Sequence, residues 1–88
     1  MYSFFVGIDV GKWNHQAAFI DSSGAKAAAD LAFENTSEGF HSLSKSLETF
    51  DKEQTVIGLE ATGHYWLALF SFLVDNRWTV KEALIKSL

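Results

Sequence analysis

The chain has 88 residues, enough for one small domain, and at 48% hydrophobic and 15% aromatic it is too apolar to be intrinsically disordered. A formal net charge of −4 argues against a chain that grips a nucleic-acid backbone by basic surface alone. The absence of cysteine excludes disulfides, thiolate metal sites and a thiol nucleophile.

The start, Met1-Tyr2-Ser3, has no basic leader, and Asp9 interrupts the first apolar run. We read neither a signal peptide nor a membrane span, and a cytoplasmic location is the expectation. Phe4 to Val10 is an apolar strand that carries one carboxylate, Asp9, before the turn glycine Gly11. Lys12-Trp13-Asn14 makes the turn. His15 to Asp21 is a second strand, antiparallel to the first because the connection is short. In it His15, Ala17 and Phe19 alternate with Gln16, Ala18 and Ile20. Asp21-Ser22-Ser23-Gly24 is a dense turn signal, and a third strand runs from about Lys26 to Glu34, with Leu31 and Phe33 on one face.

Asn35 caps the first helix, with Glu38 three residues on as in a capping box. Phe40, Leu43, Leu47 and Phe50 then form one stripe at helical spacing. Strand four is Thr55 to Leu59, ending at Glu60, and a second helix runs from about Thr62-Gly63 to Asn76. Tyr65, Trp66, Leu69, Phe70, Leu73 and Val74 give it a broad apolar stripe, whose aromatic residues Tyr65, Trp66 and Phe70 are read as core rather than as a base-stacking platform. Trp78-Thr79-Val80 opens a fifth strand, and Glu82 to Leu88 reads as more helical than extended.

Three antiparallel strands followed by helix, strand, helix and strand predict an α/β sandwich with a mixed sheet. A right-handed crossover sets strand four beside strand one. Asp9 and Glu60 then meet at adjacent strand ends, where open α/β sheets hold their ligands. A carboxylate buried at a strand end needs compensation. Two of them about 4 Å apart repel by roughly 4 kcal/mol at an effective dielectric near 20. A hard divalent cation, Mg²⁺ or Mn²⁺, reverses that sign and suits oxygen ligands. A two-ion site of this kind activates a water or hydroxyl on a phosphodiester with no nucleophilic side chain. The competing structural roles are a turn cap for Asp9 and a helix-start acid for Glu60. His15 and His41 receive no functional role, His64 after Gly63 is either a residue near the site or a surface histidine at a helix start, and Lys12 is either a phosphate contact or solvated surface.

Phe5-Val6-Gly7-Ile8-Asp9-Val10-Gly11-Lys12, Asn35 before Gly39-Phe40, and Glu60-Ala61-Thr62-Gly63-His64-Tyr65-Trp66 together resemble the N-terminal part of the DEDD transposases of bacterial insertion sequences. These are pilin-inversion-type recombinases with a RuvC-like, ribonuclease-H-like nuclease domain. The resemblance extends to about Val80. After it the chain departs from the family pattern, which continues the fifth strand into an Asn-Pro turn. The resemblance implies a ribonuclease-H-like mixed sheet, of which residues 1–88 are a single, N-terminal portion. It implies metal-dependent DNA strand cleavage and transfer, with Asp9 and Glu60 as the first two of four acidic ligands to Mg²⁺ or Mn²⁺. It implies donor and target DNA and a structured guide RNA as partners. The other two acids, and a serine implicated in strand transfer, belong to later parts of the family's sequence. The 88 residues are therefore expected not to cut DNA alone. They are expected to self-associate where the apolar stripe stays uncovered.

Two other functions compete. An actin- or sugar-kinase-like phosphotransferase half also begins with strand, Asp, Gly and hairpin. It places Thr or Ser soon after the glycine, where Lys12-Trp13-Asn14 stand here, and predicts no Glu-Ala-Thr-Gly after strand four. The third possibility is a non-catalytic, self-associating remnant.

Overall fold

The computed structural model describes residues 1–81 together with 85 and 86. Strands β1 (Phe4–Val10), β2 (Asn14–Asp21) and β3 (Lys26–Glu34) are followed by helix α1 (Ser37–Leu47) and a 3₁₀ turn (Lys52–Gln54). Strand β4 (Thr55–Thr62), helix α2 (Leu67–Asp75) and strands β5 (Thr79–Lys81) and β6 (Ile85–Lys86) complete them. The sheet order is β3-β2-β1-β4-β5, with β6 also pairing β4. β1 is antiparallel to β2 and parallel to β4, and β4 is parallel to β5. This is the expected mixed α/β sheet, compatible with a ribonuclease-H-like fold.

Alternation decides which face is covered. Val6, Ile8 and Val10 are buried, whereas Phe5, Gly7 and Asp9 between them are exposed. Their register partners on β2 and β4 follow suit: Phe19, Ala17, Ile57 and Leu59 are buried. Against this face α1 lays Phe40, Leu43 and Leu47, and α2 lays Leu69 and Leu73. Each fully buried leucine contributes about 1.5–3 kcal/mol over an exposed one. That matters most for α2, which has nine residues and no side-chain N-cap, so packing rather than propensity holds it. The opposite face of the sheet carries no helix of the described residues. Among those residues no helix is long and apolar enough to cross a membrane.

Four expectations change. Thr36, not Asn35, is the N-cap of α1: its hydroxyl accepts from the Gly39 N–H at 3.0 Å. Glu38 is then one residue too early for a capping box. Asn35 is drawn away because its Oδ1 meets His15 Nε2 at 3.0 Å. Gly39 is required where it stands, since a Cβ there would collide with the Glu34 carbonyl.

Strand β4 runs past Glu60 to Thr62, and α2 begins only at Leu67. The reason is lateral pairing: Ala61 is held by Val10 on one side and Ile85 on the other. Gly63, at φ 74°, then turns the chain. Within the predicted stripe Leu69 and Leu73 are core. Trp66 and Phe70 are half-buried and meet edge to face at 5.5 Å, while Tyr65 and Val74 are exposed. The helical reading of 82–88 does not hold for Ile85 and Lys86, which are strand; its remaining residues lie outside the described ones.

Candidate active site

Asp9 and Glu60 are register partners across the parallel β1–β4 pair. Partners in adjacent strands, about 4.8 Å apart, project from the same face. Here that is the open face, and both residues are exposed. The expectation of a buried acid at a strand end is corrected: water reaches both carboxylates, and no desolvation has to be offset. The helix-start role for Glu60 also falls, because α2 begins seven residues later.

Three rows cross β2, β1 and β4 on this face. Gln16, Asp9 and Glu60 form the polar row; Ala18, Gly7 and Gly58 form the next; Ile20, Phe5 and Val56 form the third. The middle row has almost no side chains. A Cβ built on Gly7 would touch nothing within 4 Å, so that glycine is not demanded by crowding. Its effect is to leave a clear floor beside the carboxylates. The resulting open depression has a volume of about 290 Å³ and is lined by Gly7, Asp9, Gln16, Ala18, Gly58 and Glu60, among others.

The donor set is two exposed carboxylates. Among the described residues no cluster of three or more His, Cys, Asp or Glu side chains is placed to share an ion. Two carboxylates fit Mg²⁺ well, because that ion keeps several waters and commonly takes one or two carboxylates plus substrate phosphates. Screening at this exposed site brings repulsion between charges about 4 Å apart towards roughly 1 kcal/mol.

The turn after β1 is held from below by a residue the sequence analysis passed over. His15 is buried between Phe33 and Phe40, with ring centroids 5.1 and 6.4 Å away. Its Nδ1 accepts from the Gly11 N–H at 3.2 Å, so Nε2 carries the proton and donates to Asn35 Oδ1 at 3.0 Å. Asn35 then secures the turn twice more: its backbone N–H donates to Trp13 O at 2.8 Å, and its Nδ2 to Lys12 O at 3.4 Å. The strand alternation of His15 with Ala17 and Phe19 already placed this ring on the buried face, and that was the available signal. His41 and His64 are exposed.

Comparison with protein-family models matches residues 6–85 to the IS110-type DEDD family, described as transposase. No curated protein matches the chain.

Proposed function

The chain belongs to the IS110-type DEDD transposase family, and from that membership we propose that Asp9 and Glu60 are the first two acidic ligands of a divalent-metal site for DNA strand cleavage and transfer. The carrying observation is the in-register pairing of these two acids on the open face of the sheet. A hard cation such as Mg²⁺ or Mn²⁺, when bound, supplies Lewis-acid activation of an attacking hydroxyl and neutralises charge on the leaving oxygen. The chain's own part is positional. β1 and β4 fix the two carboxylates on one rigid platform. Gln16, opposite Asp9 on β2, offers an amide beside them. The side-chain-free Gly7–Gly58 floor leaves room for a phosphodiester next to the acids.

Four acids serve the family, and residues 1–88 supply two, so the remaining ligands, the second ion and the guide-RNA contacts belong to this proposal for the family's complete domain. Self-association of copies belongs to it as well, supported by exposed Leu67 and Val74 on the outer face of α2. Family membership leaves no ground for the kinase-like alternative.

The test is a Mn²⁺ titration of the ¹⁵N-labelled chain, read as paramagnetic line broadening. Broadening centred on Asp9 and Glu60, and lost in Asp9→Asn, is expected. Broadening that spares both positions, with Asp9→Asn behaving as wild type, overturns the metal site and favours a non-catalytic remnant.

A further inference from the structure

We propose that Lys12, Trp13 and Tyr65 form a docking platform for an unpaired nucleotide of the DNA strand that passes Asp9 and Glu60. The identity of the strand as DNA rests on the function proposed above; the platform itself rests on separate observations.

Trp13 is 71% exposed and Tyr65 44% exposed. They come from two different turns, each following one of the carboxylate-bearing strands. Trp13 lies four residues past Asp9 and Tyr65 five past Glu60. Because β1 and β4 run parallel, both turns emerge at the same end of the sheet. Lys12 joins them: its Nζ lies 4.9 Å from the Trp13 ring centroid and 5.9 Å from that of Tyr65. One cation thus stands between two aromatic rings, and the indole remains largely open to solvent.

The exposure of Trp13 is built into the fold. Asn35 fixes the Lys12 and Trp13 carbonyls, and His15 fixes the Gly11 N–H. Gly11 permits the tightness of this turn, for a Cβ there would come within 2.5 Å of the Asn14 carbonyl. The backbone ordering of the turn is therefore met in the free protein, and a ligand need not supply it.

Chemistry selects the ligand. An aromatic face beside an ammonium matches a base ring beside its phosphate. A paired base presents only its edges, so an indole face can be used only by a base out of the stack. The charge pattern agrees. Eleven acids against seven Lys and Arg give the chain a net charge of −4, so a phosphate is drawn to a local cation rather than to the general surface. Lys12 lies within three residues of Asp9, at most about 11 Å of extended chain, so a base on the platform keeps its backbone near the carboxylates.

The experiment measures binding of a fluorescein-labelled oligothymidylate to the full chain in EDTA, by anisotropy and by quenching of tryptophan fluorescence. Expected are saturable binding, a fivefold to hundredfold loss (an order-of-magnitude range) in Trp13→Ala, and substantial recovery in Trp13→Phe. Lys12→Gln is expected to flatten the log–log salt dependence by about 0.7. Unchanged far-UV circular dichroism shows that Trp13→Ala is folded, and the aromatic rescue by Trp13→Phe is independent of that check. The platform is overturned if wild type does not bind or if Trp13→Ala binds as wild type does, and its assignment to DNA is overturned if an oligouridylate binds more tightly than the oligothymidylate. Loss of oligonucleotide binding in Trp13→Ala with Mn²⁺ broadening intact supports the platform. Trp13-dependent binding in a chain whose Asp9 and Glu60 do not respond to Mn²⁺ removes the metal site and leaves the platform standing.

Discussion

Asp9 stands opposite Glu60 in a parallel register that runs without a break from the Phe4–Thr55 pair to the Val10–Ala61 pair. Like charges directly opposed across two strands destabilise a sheet by about 0.2–1 kcal/mol. Glu60→Gln is therefore expected to raise the melting temperature in EDTA by roughly 1–6 °C. Saturating Mn²⁺ is expected to reverse the order, because ligand binding stabilises only the chain that keeps both acids. Calorimetry with and without metal checks both signs, and a Glu60→Gln chain less stable in EDTA removes the opposed pair.

The His15 network predicts a larger effect. Leucine at this buried position keeps the apolar contacts with Phe33 and Phe40 but leaves the Gly11 N–H and Asn35 Oδ1 without their partner. His15→Leu is expected to cost about 1–3 kcal/mol in urea unfolding. Asn35→Ala removes the same link from the other end, so the double variant should lose less than the sum of the singles. Additive losses would show that the two residues act separately.

Helix α2 ends in a Schellman arrangement. The Trp78 N–H donates to Leu73 O at 3.0 Å and the Arg77 N–H to Val74 O at 2.9 Å. This holds Arg77 at φ 68°, a left-handed conformation that costs a side-chain-bearing residue about 1–2 kcal/mol. Arg77→Gly relieves that strain while loosening the unfolded chain. A net gain of roughly 0.5–1 kcal/mol is expected, and no gain in the unfolding midpoint would contradict it.

Asp21 closes the β2–β3 turn. The Ser23 hydroxyl, at 2.6 Å, is the main reason its carboxyl is held below the usual 3.8, helped by the backbone N–H groups of Ser23, Ala25 and Gly24 against a small opposing desolvation. A lowered folded value means that the contribution of the ionised group is present above 3.8 and fades as the pH falls through the lower folded value. The stability difference between wild type and Asp21→Asn should be constant at neutral pH and shrink below pH 3.8. Denaturant midpoints across that range test it, and a difference that grows on acidification has the wrong sign.

Much of this molecule is legible in one dimension where a signal is local and repeated. Period-two alternation marks β1 and β2 and puts Val6, Ile8, Ala17 and Phe19 on one face. The Phe40, Leu43 and Leu47 spacing marks the buried side of α1. The crossover through α1 turns two distant acids into neighbours, since it carries the chain from β3 across β2 and β1 to pair β4 with β1.

What the tertiary structure alone decided are the competitions between partners distant in sequence. Thr36 caps α1 because His15, twenty residues before Asn35, claims that side chain. Strand β4 outlasts Glu60 because β1 and β6 both pair with its end. The exposure of Asp9 depends on which face of the sheet the two helices cover, and the meeting of Lys12 with Tyr65 on which turns share an end of the sheet. Local propensity ranks the options for each segment within about a kilocalorie per mole. Hydrogen bonds and burial gained from the rest of the fold are of the same size or larger, so they choose among those options.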